Sequence, residues 1–116
     1  MTMDVPLPRF EELVADALDL IPERFTRAMD NVAVLVAEIN PENPRLLGLY
    51  HGISLTRRTT YYSGVLPDRI VIYRKPILGI CATEEDVVRQ VAITVVHEVG
   101  HHFGLDDATL HELGWG

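Results

Sequence analysis

The sequence contains one cysteine, Cys81, and no hydrophobic run that approaches the ~20 residues needed to span a membrane. A single cysteine cannot form an intramolecular disulfide, so a disulfide-stabilised fold is excluded and an oxidising compartment is not implied. Residues 1–8 lack the positively charged and hydrophobic segments of a secretory signal. We therefore expect a soluble protein of the cytoplasm that has no membrane partner.

Positive charge is also scarce, because 10 Lys and Arg residues face 17 Asp and Glu residues, which gives a formal net charge of −7. A chain of this charge repels phosphate backbones, which excludes nucleic acid as a general partner. Between residues 45 and 75 the balance reverses: the acidic residue is Asp68, and the basic ones are Arg45, Arg57, Arg58, Arg69, Arg74 and Lys75. Such a run usually only solvates a surface. The alternative is a basic rim that recognises an acidic peptide or a C-terminal carboxylate.

The length of 116 residues and the hydrophobic content of 47% predict a single domain, residues 1–116, with a substantial core. Hydrophobic residues recur at helical spacing from Phe10 to Ile21, which predicts a helix over 8–21 and, after Pro22, a short helix over 23–29. Runs rich in β-branched and large aliphatic residues predict strands over 31–39, 46–53 and 69–74. We expect a polar loop over 56–64 that overhangs a cleft, and one helical turn over 76–81.

The longest helix is predicted over residues 84–103. Thr83 is a suitable N-cap, and the three acidic residues after it favour a first turn. A wide hydrophobic face follows, made of Val87, Val88, Val91, Ala92, Val95, Val96 and Val99. After a short last helix over 108–113, the order of elements predicts an α+β domain. Its small sheet of about three or more strands packs against the N-terminal helix and the long helix.

The long helix carries His97, Glu98 and His101 near its end. Two histidines four residues apart lie on one face of a helix, which places two imidazole nitrogens around one point. That arrangement suits a tetrahedral zinc, and a metal would satisfy polar groups on a largely buried helix. Glu98 projects beside the same point, where its carboxylate can take a proton from a metal-bound water without itself being a ligand.

A third ligand is expected beyond Gly104, because a glycine in the left-handed conformation commonly ends a helix and lets the chain reverse. Asp107, six residues after His101, would then reach the metal, and the alternatives are Asp106, His111 and Glu112. The complete pattern, H-E-x-x-H-x-x-G-x-x-D, resembles that of the Asp-zincin branch of metallopeptidases. The small size and the place of the motif near the C-terminus resemble the bacterial mini-zincins.

This resemblance implies a zincin-like fold and one zinc ion per chain, held by His97, His101 and Asp107. It also implies that Glu98 is the general base in peptide hydrolysis, with a peptide or protein as the substrate. The rival hypothesis is a non-catalytic protein, in which zinc is structural or the fold is retained to bind a partner. A fourth protein ligand such as His111 would favour that rival.

One departure from larger metallopeptidases concerns the walls of the cleft. Metzincins place a methionine turn below the zinc, whereas the three methionines of this sequence all precede the motif. Nine residues follow Asp107. We therefore expect a shallow site for short peptides, or a cleft that a second copy of the chain completes.

Four further side chains have two interpretations each. Tyr50 and His51, together with residues 57–62, are candidate donors to the oxyanion, although packing on a strand is their simpler role. His102 points about a quarter-turn away from His101 and is expected to face solvent or to support a ligand. Cys81 is expected to be a small core residue, since a zinc thiolate usually has a partner cysteine.

Overall fold

The computed structural model describes residues 3–29, 31–52 and 68–115. Within these ranges the chain forms five helices and three strands. In chain order they are α1 (Leu7–Leu20), α2 (Glu23–Ala28), β1 (Val32–Ala37), β2 (Gly48–His51), β3 (Asp68–Tyr73), α3 (Arg74–Ile80), α4 (Glu84–His102) and α5 (Asp107–Glu112). The predicted α+β class and the predicted three-stranded sheet are confirmed.

Within the described ranges the sheet has the order β1-β3-β2, with β3 in the middle. β1 runs parallel to β3, with Val34 opposite Ile70, whereas β2 runs antiparallel to β3, with Tyr50 opposite Ile70. Side chains alternate between the two faces of a strand. Gly48 and Tyr50 therefore lie on one face of β2, and Leu49 and His51 lie on the other.

The helices cover one face of the sheet, and the core lies between them. α4 packs against α1, β2 and β3, and its residues Val87, Val91, Val95 and Val96 are fully buried. The opposite face of the sheet carries the half-exposed Leu35 (47% exposed) and the exposed Arg69. None of the helices in the described ranges combines the length and hydropathy that a membrane span requires.

The start of α4 agrees with its prediction in detail. The Thr83 hydroxyl accepts a hydrogen bond from the Asp86 backbone N–H (3.1 Å), and the Asp86 carboxylate accepts one from the Thr83 N–H (3.2 Å). This reciprocal pair is a capping box, which satisfies backbone donors that a helix start leaves unpaired. The first acidic turn of α4 is therefore fixed by residues that are neighbours in the sequence.

The predicted boundaries were wrong at the strands. β1 ends at Ala37, because the next residue, Glu38, accepts hydrogen bonds from the start of α3 through both its backbone oxygen and its carboxylate. β2 is shorter than predicted and begins at Gly48. The predicted strand residue at position 53 and the predicted loop over 56–64 lie outside the described residues.

The single helical turn predicted over 76–81 was also wrong, because a full helix, α3, begins directly after β3. Arg74 starts this helix instead of ending the strand, since its guanidinium donates to the Val5 backbone oxygen and to Glu38. Pro76 does not interrupt α3, because it lies in the first turn, where a missing N–H leaves no intrahelical bond unmade.

Candidate metal centre

The end of α4 is built so that the chain reverses next to His101. Gly104 has a φ of +86°, in the left-handed region that glycine adopts without strain. Its N–H donates to the His101 backbone oxygen, and the Leu105 N–H donates to the Gly100 backbone oxygen at 2.8 Å. These two bonds form a Schellman motif. The predicted glycine stop is therefore confirmed, and α5 starts only a few residues later, at Asp107.

This reversal brings His97, His101 and Asp107 together. The Asp107 Oδ1 lies 2.7 Å from the His101 Nε2 and 3.6 Å from the His97 Nδ1. One ligand atom from each of the three residues lies within 4.8 Å of the others, a spacing that could hold one metal ion. Two imidazoles and a carboxylate form a donor set that zinc accepts readily.

His97 offers a ring nitrogen to such an ion. Its Nδ1 is the nitrogen that lies toward Asp107, at 3.6 Å. The Nε2 of the same ring is buried and has no hydrogen-bond partner within the described part of the chain. Nδ1 is therefore the atom that this arrangement presents to an ion.

The adjacent residues Asp106 and Asp107 make different contacts. The Asp106 Oδ1 accepts the Thr109 backbone N–H at 2.8 Å and so caps α5. This hydrogen bond from the backbone of Thr109 is the main reason that the pKa of Asp106 lies below its usual range. Asp107 is the residue whose carboxylate faces the two histidines. His111 and Glu112 are exposed on α5 and do not belong to the group of three.

Glu98 lies where α4 contacts β2. Its Oε1 accepts a hydrogen bond from the Tyr50 backbone N–H at 3.0 Å. β2 approaches α4 closely enough for this contact because Gly48 has no side chain: a Cβ there would lie 2.7 Å from the Thr94 Cγ2. The sequence alone does not reveal this contact, since it joins residues 48 positions apart.

A cavity of about 530 Å³ begins at His97 and Glu98 and runs along α4. This volume is within the usual range of ligand pockets. The described residues that line it are Asn43, Arg45, Leu46, Leu47, Gly48, Gln90, Ile93, Thr94, His97 and Glu98. We refer to this cavity as the cleft. The predicted ligand His97 and the predicted base Glu98 thus share one end of it.

The other candidate side chains do not belong to the group of three in the described part of the chain. The Tyr50 hydroxyl donates to the Asp68 carboxylate at 2.7 Å, and its ring stacks on His102 with 4.0 Å between centroids. His51 belongs to the face of β2 opposite α4, so its side chain is not presented to the cleft. Cys81 is buried in the core, and this burial raises the pKa of its thiol.

Comparison with known proteins gives a family and one informative structure. Residues 29–115 match the model of the zincin-like metallopeptidase family. The chain is also similar to the solved structure of a conserved hypothetical protein from Thermo thermophilus, at 25% identity and a TM-score of 0.53. That match covers 84% of this chain and 94% of the other. No curated protein matches the sequence. Because the family model spans most of the sequence and includes the three converging side chains, the chain belongs to the zincin-like metallopeptidase family.

Proposed function

We propose that this protein is a zinc-dependent peptidase, in which His97, His101 and Asp107 hold the ion and Glu98 is the general base. The observation that carries the proposal is the convergence of the three side chains within 4.8 Å at the end of a cleft that Glu98 also lines. Family membership supports a hydrolase of this kind. A peptide or protein is the proposed substrate.

When bound at such a site, zinc acts as a Lewis acid that lowers the pKa of a coordinated water to about 7. Glu98 is well placed to accept a proton from the attacking water and to donate it later. One of its oxygens is held by the Tyr50 N–H, and a carboxylate has further lone pairs available. Glu98 would take a proton from the attacking water and pass it to the leaving amine of the peptide bond.

The cleft gives a peptide substrate room beside the proposed base. It begins at His97 and Glu98 and runs along α4, with Gly48 on its wall. An extended peptide that lies in the cleft would pass the Glu98 carboxylate.

The rival hypothesis of a structural zinc needs a fourth protein ligand. In the described ranges the metal-binding group stops at three residues, without His111. Residues 53–67 contain no His, Cys, Asp or Glu, so this segment lacks the usual zinc ligands. Three protein ligands and one open position are the arrangement of catalytic zinc sites. This observation favours the peptidase over the structural site.

The test measures zinc content and hydrolysis on the same samples. Wild type, Glu98→Gln and His97→Ala are exposed to zinc, washed, and analysed by elemental analysis and by mass spectrometry of a mixed peptide library. We expect one zinc per chain and cleavage for wild type. Glu98→Gln should keep its zinc and lose hydrolysis by about 100-fold or more, the usual contribution of a general base. His97→Ala should lose most of the metal.

Two outcomes would overturn parts of this proposal. Equal cleavage by wild type and Glu98→Gln would remove Glu98 from the role of base. A wild type that holds zinc but leaves every peptide of a broad library intact would favour the non-catalytic alternative. The prediction that a second copy completes the cleft is separate, and the concentration dependence of specific activity would test it.

A further inference from the structure

The cleft extends well beyond the metal-binding group. Gln90 and His97 both line it and are seven residues apart on α4. A helix rises 1.5 Å per residue, so this wall is roughly 10 Å long. An extended peptide advances about 3.3 Å per residue. The cleft therefore has room for about three residues of a peptide on one side of the bond next to Glu98.

Leu46, Leu47 and Ile93 give the cleft a hydrophobic lining, and Arg45 gives it a positive charge. The chain before β2 leads away from Glu98, because Tyr50 bonds to Glu98 whereas Gly48 lies against Thr94, one turn earlier on α4. Arg45 comes before Gly48 in the chain, which puts it toward the Gln90 end of the cleft. In the described ranges the ion pairs to carboxylates are made by Arg9, Arg27, Arg74 and Arg89, with Arg45 not among them. The exposed Arg45 guanidinium is therefore not neutralised by a described carboxylate.

The other described basic residues between positions 45 and 75 are elsewhere. The Arg74 guanidinium donates hydrogen bonds to Glu38 and to the Val5 backbone oxygen. Arg69 pairs with His51 in the sheet and lies on the face opposite α4. The predicted basic rim is thus not one continuous surface in the described part of the chain. Of the described residues in that run, Arg45 is the one that lines the cleft.

The loop that carries Arg45 is fixed by its asparagines. The Asn40 Oδ1 accepts the backbone N–H groups of Glu42 and Asn43, and the Asn40 Nδ2 donates to the Tyr73 hydroxyl at 3.0 Å. The Asn43 Oδ1 in turn accepts the Arg45 N–H at 3.2 Å. These bonds hold the backbone of Arg45 in place before any ligand arrives, which reduces the entropy lost on binding.

The geometry points to a carboxylate-binding subsite at Arg45, which makes peptides with a negative charge two to four residues from the cleaved bond the preferred substrates. This inference rests on the proposed peptidase function for its link to cleavage. A guanidinium binds a carboxylate through two parallel hydrogen bonds. The carboxylate comes from an Asp or Glu side chain or from the C-terminus of a short peptide, since both present the same group.

The experiment uses zinc-loaded Glu98→Gln protein, which binds peptides without cleaving them under the proposed mechanism. Fluorescence anisotropy measures its affinity for matched labelled peptides that carry Glu, Gln or Lys at one position and a free or amidated C-terminus. The same peptides are offered to zinc-loaded wild type in a cleavage assay. The variants are Arg45→Gln, Arg45→Glu and the control Arg69→Gln, which makes the same charge change on the other face of the sheet.

We expect acidic peptides to bind about 5- to 10-fold more tightly than neutral ones, as one charge-assisted pair allows. Arg45→Gln should abolish this preference and Arg45→Glu should reverse it toward Lys-containing peptides, while Arg69→Gln keeps it. A preference that follows the free C-terminus identifies the terminal carboxylate, and one that follows internal Glu identifies the side chain. Thermal unfolding of each variant verifies that it is folded.

Equal affinity for acidic and neutral peptides, or an equal loss in Arg45→Gln and Arg69→Gln, would overturn the inference. The two proposals fail separately. Cleavage without any charge preference removes the subsite and leaves the peptidase. Charge-dependent binding at Arg45 in a protein that cleaves none of the peptides retains the subsite and removes the peptidase.

Discussion

The two ends of α4 are made in different ways. Its start is closed by Thr83 and Asp86, which are three residues apart and bond to each other. Its end carries the two histidines of the candidate metal centre, and the third member of that group comes from another helix. The start stabilises the helix through neighbours in the sequence. The end depends on how α5 is held against the rest of the protein.

Long-range packing fixes α5 in its place. Leu110 is fully buried against Gly100, where an added Cβ would lie 2.9 Å from the Leu110 Cδ2. Beyond α5, Gly114 turns the chain back so that Trp115 packs edge-on against Phe25 at 6.3 Å between ring centroids. The start of α4 is thus stabilised locally, whereas the geometry of the candidate metal centre depends on packing between α2, α4 and α5.

The largest effect is expected at the functional end itself. Asp107→Ala removes the carboxylate that lies 2.7 Å from His101. Loss of residues that merely support metal ligands costs 10- to 100-fold in affinity, so we expect zinc to bind about 100-fold more weakly, or worse. Competition with a chromophoric chelator measures the affinity. Asp106→Ser is the matched control, because serine preserves the N-cap of α5 and should leave zinc binding nearly unchanged.

A smaller effect is expected when the packing of α5 is disturbed. Gly100→Ala would push Leu110 away from α4, and this side chain is fully buried and has little room to move. We expect a loss of about 1–3 kcal/mol in the free energy of unfolding, as in other overpacked cores. Zinc affinity should fall about 10-fold through the displaced Asp107. Both are measured on the same protein, by denaturant unfolding and by chelator competition.

Gly79→Ala is the control for this glycine. Nothing lies within 4 Å of a Cβ at position 79, so alanine there should be neutral or slightly stabilising, as in exposed helix positions. Equal zinc affinity in Gly100→Ala and Gly79→Ala would contradict the dependence of the metal centre on the packing of α5.

Breaking the other end of α4 should affect stability alone. Thr83→Ala removes the side-chain acceptor for the Asp86 N–H, which typically costs about 1 kcal/mol of folding free energy. Zinc affinity should not change, because Thr83 lies at the far end of the 19-residue helix from the histidines. Thr83→Ser should restore the stability. A clear loss of zinc binding in Thr83→Ala would break the distinction between the two ends.

The smallest effect is the pH dependence of the capping box. Hydrogen bonds from the backbone N–H groups of Ala82 and Thr83 lower the pKa of Asp86. A carboxylate whose pKa is lower in the folded state stabilises the protein above its unfolded pKa of about 4, and loses this contribution as the pH falls through the folded value. The stability difference between wild type and Asp86→Asn should therefore shrink below about pH 4. A difference that is constant from pH 7 to the acid limit would refute this linkage.

The sequence was sufficient wherever the cause is local. The hydrophobic stripe from Phe10 to Ala17 predicted α1, and these residues are buried in it. Thr83 predicted the start of α4, and Gly104 predicted its end, because a cap and a left-handed glycine act on their immediate neighbours. The candidate ligands could be proposed for the same reason, since helix geometry alone puts His97 and His101 on one face.

The sequence was insufficient wherever the cause is tertiary. α3 was mistaken for a single turn because the contacts of Arg74 with Val5 and Glu38 join residues far apart in the chain. The bond between Glu98 and the Tyr50 N–H could not be foreseen either, because it requires the close approach of β2 to α4 at Gly48. The place of Arg45 on the wall of the cleft could not be predicted either, because it depends on how the chain before β2 packs against α4.

A crystal structure of the zinc-loaded protein would show directly whether His97, His101 and Asp107 hold the metal. We expect one zinc per chain, with a nitrogen of each histidine and an oxygen of Asp107 at roughly 2.0–2.2 Å. The fourth position should hold solvent, and the Glu98 carboxylate should lie beside that solvent without touching the metal. Zinc bound by His111, Glu112 or Glu98, with Asp107 turned to solvent, would show that this assignment of the ligands is wrong.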